Sequence, residues 1–512
     1  MEHLDQHLKD SVARAADAIA YTFQDRRIDY RTFDREVQDV AVSLLRLGFK
    51  KGEGMALILP NSDAFLTLYH AALRIGMYCV PMNPLYTPSE LLYMIRDSSV
   101  GCIAAPAQMA PLAPAILSEA PDVKLIMVGD GAHAEADRIH RYLSLLRHQV
   151  EDDRSFTQEI EGIARDPDDL AVILYTSGTT GKPKGAMLTH ANLASNAMMI
   201  GDYLKYTAND RILTVLPMFH VFCLTVCVNA AIYRGAEMII LPHFSPTELI
   251  ELIPARRATI FAGVPTMYNF LLQASQSREV DFSTLRYCIS GGAAMPVALL
   301  SAFEARMGVT VLEGYGLSEA SPVSAFAPID GRPRKVGSIG VTLPGIEQKV
   351  VDEFDREVDV DEVGELVMRG PNVMKGYWHL PDATAQALRG GWLHTGDMAR
   401  VDEDGYFYLV DRKKDMIIVG GFNVYPREIE EVLYRCEGVR EAAVIGVPDD
   451  AYGEVPIAFV VPGSDTLSQE DVKVFCAAHL AKYKQPARVV FIKELPKNTV
   501  GKIMRRDLRQ FA

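Results

Sequence analysis

The stretch Leu174-Tyr-Thr-Ser-Gly-Thr-Thr-Gly-Lys-Pro-Lys-Gly185 continues an apolar, strand-like run, Ala171–Tyr175, and decides how the rest of the chain is read. Its glycines, Gly178 and Gly181, let a backbone come close to an anion. The hydroxyls of Thr176, Ser177, Thr179 and Thr180 and the surrounding N–H groups are donors, and Lys182 and Lys184 bring positive charge. Nine of the eleven residues from Tyr175 to Gly185 are small, hydroxylic or cationic, a density that a plain surface turn does not need. This is chemistry for a polyphosphate. It is not a Walker A loop, because Thr176 stands where the first glycine belongs and Pro183 replaces the Ser/Thr after the lysine.

On both sides of this loop, from about residue 55 to 315, short β-rich runs alternate with amphipathic helical patterns. The strand candidates are Met55–Leu59, Ile212–Leu216, Glu237–Leu241, Thr259–Ala262, Tyr287–Ile289 and Thr310–Leu312; Pro88–Arg96, Met267–Ala274 and Val297–Met307 read as helices. Such alternation predicts parallel sheets with helices on their faces. After Pro333 the texture changes to closely spaced strands, Glu347–Val351, Glu365–Arg369 and Tyr406–Val410. The charged run Asp411-Arg-Lys-Lys-Asp415 then separates two apolar strands. Beyond it the pattern reads strand, helix, strand, strand, helix, strand. The first helix begins near Pro426, with Ile429, Val432, Leu433 and Cys436 on one face; the second has Ser468 and Asp471 as a capping box before Val472, Phe475, Cys476 and Leu480. The expected architecture is an α/β N-terminal domain, 1–411, with layered sheets and a β-rich subdomain at about 333–410, followed by a small α+β domain, 412–512.

Composition excludes several classes. The chain has 512 residues, 49% of them hydrophobic, and 52 Lys+Arg against 66 Asp+Glu give a net charge of −14. A disordered chain and a protein that coats nucleic acid through overall charge are both disfavoured. The seven cysteines, Cys79, Cys102, Cys223, Cys227, Cys288, Cys436 and Cys476, lack framework spacing and read as free thiols of a reducing compartment. The start, Met1 to Asp10, lacks the blocks of a signal peptide. Ile212–Tyr233 carries no Asp, Glu, Lys or Arg, but Thr214, Pro217, His220, Thr225 and Asn229 interrupt it, so it reads as a buried strand and a buried helix rather than a membrane span. On that helix His220, Cys223 and Cys227 fall three and seven apart on one face; without a fourth ligand nearby a zinc site is disfavoured.

Three further motifs carry chemistry. Glu313-Gly-Tyr-Gly-Leu-Ser-Glu319 follows a strand: Tyr315 can stack on a flat base, Ser318 can bond a phosphate and Glu319 can hold Mg²⁺. In His394-Thr-Gly-Asp397 the carboxylate can accept from two vicinal hydroxyls. The tail Pro496-Lys-Asn-Thr-Val-Gly-Lys-Ile-Met-Arg-Arg506 closes a segment, from Lys482 onward, with eight Lys/Arg against Glu494 alone. By itself that tail would read as a solvated basic face or a nucleic-acid contact.

Taken together and in this order, the motifs resemble the adenylate-forming superfamily of acyl-CoA synthetases, peptide-synthetase adenylation domains and firefly-type luciferases. Gly391-Trp-Leu-His-Thr-Gly-Asp397 followed by Asp404-Gly-Tyr-Phe-Tyr-Leu-Val-Asp-Arg-Lys-Lys414 is most similar to bacterial long-chain fatty-acid:CoA ligases. The resemblance implies an AMP-binding domain over 1–411 and a mobile C-terminal domain over 412–512. It also implies ATP and Mg²⁺ as cofactors, CoA as co-substrate, and an acyl-adenylate intermediate whose nucleophile is the carboxylate itself. Residue by residue it assigns Lys502 to the reacting carboxylate and α-phosphate, Thr176–Lys184 to the β- and γ-phosphates, and Tyr315, within Glu313, Gly314 and Gly316, to adenine. Gly291, Gly292 and Ala293 fall to the base and the acyl entrance, Asp397 and Arg412 to the ribose, and Glu319 to the metal. Ser318 retains the hydroxyl of a position where many relatives have Thr. His220 matches the aromatic gate of the substrate entrance. Lys414 matches the hinge about which the small domain turns between two half-reactions, bringing Ile418–Phe422 with Gly421 to the pantetheine passage.

For the acid, the resemblance turns on the neighbours of His220. Phe219, Val221, Phe222, Cys223 and Leu224 include no Asp to pair with an amino-acid ammonium, and an unpaired buried cation costs several kcal/mol. Leu224, Val226, Val228, Val264 and Met267 suggest an apolar channel for a medium- to long-chain fatty acid, each buried methylene adding about 0.8 kcal/mol. Aromatic acids, loading of a carrier protein and a luciferase-like oxidation stay open as alternatives. No nucleic-acid partner is expected. The expected location is cytoplasmic, with peripheral contact at the inner membrane face compatible with a lipid-soluble substrate; the oligomeric state is left open, a homodimer included.

Overall fold

The alternating strands and helices divide between two sheets rather than forming one. In the computed structural model, which describes residues 3–129, 138–146, 154–176, 182–464, 466–498 and 501–512, four sheets are present among the described residues. The first sheet has nine strands. Its parallel centre is Val311–Gly316, Tyr287–Ser290, Ile260–Gly263, Arg211–Thr214 and Glu237–Ile240, in that spatial order. Ile19–Phe23 lies parallel beside Glu237–Ile240, and antiparallel strands close both ends, Arg26–Asp29 on one and Val323–Phe326 with Val341–Thr342 on the other. The second sheet has eight strands, with Gly54–Leu57, Tyr78–Pro81, Val100–Pro106, Lys124–Val128, Ile139–Arg141 and Leu170–Thr176 in parallel. The expected parallel sheets therefore become mixed sheets.

A shared core lies between these sheets. The helix Asp63–Arg74 is buried at every residue from Ala64 to Arg74, as a helix enclosed on all sides must be. The segment read against a membrane span is a buried strand, Arg211–Thr214, and a buried helical run ending at Arg234. Among the described residues no helix is long and apolar enough to cross a membrane. All seven cysteines are buried free thiols.

The polyphosphate-type loop sits differently from a Walker A loop. Leu170–Thr176 pairs antiparallel with Lys184–Thr189, and Thr176 lies opposite Lys184, so the loop joins two strands of a hairpin. Ser177, Gly178, Thr179, Thr180 and Gly181 lie outside the described residues, as do Thr499 and Val500 of the tail.

The β-rich subdomain is a four-stranded antiparallel sheet of Glu347–Val351, Gly364–Arg369, Leu393–Val401 and Phe407–Arg412. Part of the expected 333–410 unit leaves it: Gly376–Tyr377 pairs with Met187 and Ala186 on the edge of the second sheet, and Trp378 N–H donates to Gly185 O at 2.7 Å. The C-terminal unit follows. Its expected first strand is a hairpin, Ile417–Val419 with Phe422–Val424, which turns at Gly420 and Gly421 with φ of 57° and 88°. Two adjacent residues at positive φ suit glycine. Then come the helix Pro426–Tyr434, the long antiparallel pair Val439–Asp449 and Gly453–Pro462, the helix Gln469–His479 with its Ser468–Asp471 capping box, and the strand Arg488–Phe491.

Candidate active site

The candidate site collects at the carboxyl ends of the first sheet's strands, where side chains from the β-rich subdomain and the tail meet, with Thr176 and Lys184 at the ends of the hairpin strands nearby. The Glu313–Gly316 motif does not follow a strand; Val311–Gly316 is the strand that contains it. A Cβ on Gly316 would lie 2.1 Å from Pro322 O, and one on Gly314 2.7 Å from the Phe326 ring, so the antiparallel neighbour dictates both glycines. Tyr315 is 8% exposed and its hydroxyl donates to Asp397 Oδ2 at 2.6 Å. Burial and that carboxylate push the phenol well above its ordinary pKa, so it remains a donor. Asp397 is paired with Arg412 across the ladder, its Oδ1 lies 3.5 Å from Arg412 Nε, and its N–H donates to Thr395 Oγ1 at 3.1 Å. Glu313 is pushed up to about 7 by burial, against the pull of Arg427 in the C-terminal unit.

Just beyond this strand, Ser318 and Glu319 form a 3₁₀ turn. Glu319 Oε1 accepts from Tyr377 OH at 2.9 Å and lies 3.4 Å from Thr176 Oγ1 at the mouth of the hairpin loop. The Lys184 ammonium lies 5.2 Å from the Tyr377 ring centre and that of Lys182 5.8 Å from Tyr93. Both ammonium groups thus rest over aromatic rings at the carboxyl end of the loop. Tyr377 was not anticipated from sequence. Nothing in Gly376-Tyr-Trp378 itself points to the site; only the pairing of this segment with the hairpin brings it there.

Gly291, Gly292 and Ala293 follow the strand Tyr287–Ser290. Gly291 is buried, and a Cβ there would lie 3.2 Å from the Phe222 ring and 3.3 Å from Gly314 O, which puts it between the His220 segment and the Tyr315 strand. Gly292 has φ +76° and, like Ala293, is exposed. His220 is not on a helix face with Cys223 and Cys227. It precedes the helix, its Nδ1 accepting Phe222 N–H at 3.2 Å and its carbonyl accepting Leu224 N–H at 3.0 Å. The run Cys223–Asn229 is a π-helix in which Cys223 and Cys227 remain side-chain neighbours, so it is only His220 that leaves the expected common face. Burial, with help from the Lys502 ammonium, lowers His220 to about 4, so its ring is neutral near pH 7.

Lys502 arrives from the C-terminal unit on a tight turn. Its N–H donates to Asn498 Oδ1 at 2.8 Å and its carbonyl accepts Asn498 N–H at 2.8 Å. Gly501, at φ +79°, is pressed against the large domain: a Cβ would lie 2.5 Å from Thr266 Oγ1 and 3.3 Å from Val264 Cγ2. Withdrawal from water and then Arg412 lower Lys502 to about 8, with Asp397 opposing. Lys502, Arg412, Asp397, Tyr315, His220 and Gly291 thus share one neighbourhood, beside the Glu319–Thr176–Lys184 group. Lys414 is exposed in the turn that joins the two units, and Gly421 stands at an exposed hairpin tip with nothing within 4 Å of a would-be Cβ; the structure brings neither into contact with the group.

Two mixed sheets, an antiparallel subdomain and a C-terminal unit that brings a lysine beside Asp397, Arg412 and His220 define the class of adenylate-forming ligases. The chain belongs to the AMP-binding enzyme family: the family pattern matches residues 8–378, and that of the AMP-binding enzyme C-terminal domain matches residues 428–502. A long-chain-fatty-acid–CoA ligase of Bacillus subtilis (strain 168) is 39% identical over 99% of this chain and 94% of its own length. ATP-bound MatB from Rhodopseudomonas palustris superposes with a TM-score of 0.88 at 34% identity, covering 99% of this chain and 98% of that one. The anthranilate CoA ligase AuaEII in complex with anthranoyl-AMP gives 0.91 at 28% identity, covering 100% and 97%. The protein is an ATP-using acid–thiol ligase with acyl-CoA ligase activity by family. These relatives do not share one acid.

Proposed function

We propose that this ligase activates a medium- to long-chain fatty acid as an acyl-adenylate and transfers the acyl group to CoA, releasing AMP and pyrophosphate. The observation that carries this reading is the wall beside His220 and Gly291. Phe222 lies against Gly291 and Val264 against Gly292, while Cys223, Leu224, Val226, Val228 and Met267 are buried in the same two segments, with no carboxylate among these residues to meet a substrate ammonium. Relatives named for long-chain fatty acids support it. The aryl-CoA ligase among the structural neighbours keeps an aromatic acid as the second reading.

In this reading Lys182, Lys184 and the Thr176–Lys184 loop hold the β- and γ-phosphates, Asp397 with Arg412 receives the ribose hydroxyls, and Tyr315, flanked by Gly291–Ala293, bounds the adenine site. The oxygen donors of Glu319, Thr176 and Tyr377 suit a hard cation, and Glu319 would hold Mg²⁺. When bound, Mg²⁺ neutralises phosphate charge. Ser318 adds a hydroxyl at the phosphates, and His220 closes the acyl entrance as a neutral ring. Lys502 binds the incoming carboxylate and the α-phosphate, where negative charge develops; catalysis is then positioning plus charge neutralisation. For adenylation the domain 1–411 provides everything but Arg412 and that lysine. The domain 412–512 turns about Lys414 to withdraw Lys502 and bring Gly421 to the CoA thiol for the second half-reaction.

Acid-dependent pyrophosphate release over C2–C18 fatty acids, aromatic acids and amino acids, with and without CoA, tests the assignment. The expected result is a maximum among the longer fatty acids and a CoA-dependent thioester. A response confined to amino acids or to aromatic acids would overturn it. The lysine adds a pH signature. Its cation is the working form, and its pKa in the free enzyme is lowered to about 8. The kcat/KM of adenylation should therefore hold steady below pH 8 and fall as pH rises through it, well before the ordinary lysine value. A profile flat beyond pH 9.5 (about one and a half units higher on the reference scale) would remove Lys502 from that role.

A further inference from the structure

The units are joined by one covalent thread, so non-covalent contacts across it decide how the small domain sits. Asp411 is the centre of those contacts. It lies near the end of the strand Phe407–Arg412, opposite Met398 in the four-stranded sheet, with its side chain 3% exposed. Its Oδ2 accepts the N–H of Arg427 at 2.9 Å, and its Oδ1 accepts from Arg505 Nη1 at 3.0 Å. Arg427 is the second residue of the helix Pro426–Tyr434, whose own N-cap residue, Tyr425, makes no side-chain cap. Asp411 supplies that missing acceptor from the other side of the linker, where a negative charge also meets the positive end of the helix. Arg427 Nη1 donates to Leu409 O at 2.8 Å, a second tie to the same large-domain strand.

Arg505 extends this grip to the tail. It lies three residues after Lys502, and its Nη2 donates to both oxygens of Glu430 at 2.9 and 2.8 Å. Glu430 is anchored within the small domain by Val444 N–H at 2.8 Å. Every partner of Asp411 beyond its own strand lies C-terminal to Lys414, so rotation about Lys414 must separate Asp411 from Arg505 and from Arg427 N–H together. Something must also hold Lys502 in place, because its ammonium sits where loss of water and the nearby Arg412 disfavour its charge.

We infer that Asp411 is a positioning residue, a cross-linker latch that holds the small domain in the orientation presenting Lys502 and is released for thioester formation. The inference rests on the two-orientation reading above. In Asp411→Asn the small domain keeps its internal Arg505–Glu430 pair, so its own fold is spared and only the cross-linker charge contact is lost.

Asp411→Asn is expected to slow acyl-adenylate formation about 10- to 100-fold, while thioester formation from supplied acyl-adenylate and CoA is unchanged or faster. Equal slowing of both half-reactions, or of neither, would overturn the latch. A second measurement needs no turnover: the distance distribution between spin labels at Asp382→Cys and Val474→Cys, one exposed position on each unit. Asp411→Asn should move population away from the wild-type distance, and an unchanged distribution would equally overturn the latch. Failure of the two-orientation reading looks different, because wild type would then keep a single distance through both half-reactions.

Discussion

Lys502→Ala is expected to lower acid-dependent ATP–pyrophosphate exchange by about 10²- to 10³-fold, the usual cost of removing one preorganised group that meets developing charge. The same variant should form thioester from supplied acyl-adenylate and CoA at a near-normal rate. The expectation follows from how the lysine is presented. It belongs to the C-terminal unit, its turn is pinned by Asn498, and Gly501 is pressed against Thr266, so the side chain reaches a site built by the other domain. Among the described residues of that neighbourhood none replaces it: Arg412 is engaged with Asp397, and His220 is neutral near pH 7. The glycine-rich loop and the ribose-side pair remain, so ATP affinity should change less than the rate. Equal loss in both half-reactions would mean that the substitution damages the fold, and near-normal exchange would end the catalytic assignment.

Arg74→Met is the second large effect, on stability. Arg74 is 2% exposed at the end of the fully buried helix Asp63–Arg74. Its Nε donates to Asp5 at 2.9 Å, and its remaining nitrogens reach Asp34 and Gln38. Asp5 is 1% exposed, so the guanidinium ties the N-terminal helix Leu4–Ala15 to the core. Removing it leaves the buried Asp5 carboxylate with only the half-exposed Lys9 at 3.2 Å and Arg165 at 3.9 Å, a loss of up to about 3–5 kcal/mol. Burial pushes Asp5 upward, but Arg74 and Lys9 outweigh it and hold the carboxyl at about 2. The sign follows directly: this stabilisation is present above the unfolded value near 3.8 and is lost as pH falls through about 2. Three histidines of the same cluster act earlier. Burial lowers His3 to about 4, His70 to about 3 and His190 well below 6.5, so the unfolded chain takes up protons first. Wild-type stability should decline as pH drops below 6.5 and decline further near the carboxylate window. Urea midpoints from pH 7.5 to about 2.5, compared between wild type and Arg74→Met, check both parts. A variant with an unchanged midpoint at pH 7.5 would refute the structural role given to the pair.

The elements readable in the chain were those whose signal is local. Val297–Met307 and Glu347–Val351 form where their periodicity puts them, and the Ser468–Asp471 box caps its helix. The family was legible for a similar reason: loops that bind phosphate need short runs of glycine, hydroxyl and lysine. His220 was misread as part of a helical face because side-chain spacing does not show that the helix starts after it. Tyr377 and Asp411 were invisible, since a lone tyrosine or aspartate acquires its role only from the atoms opposite it.

By itself the order of residues determined that this chain is an adenylate-forming ligase with a phosphate-type loop after an apolar strand, a glycine-bracketed Tyr315 and a basic tail that contains Lys502. Backbone approach to an anion and helix capping depend on residues a few positions apart, so they survive translation into a string of letters. Only the tertiary structure decided how the parallel strands divide between two sheets, that Gly376–Tyr377 crosses to the second of them, and that Asp411 caps a helix on the far side of the linker. Those outcomes depend on which edges and carboxylates meet after folding, and meetings between residues far apart in the chain leave no local spacing to read.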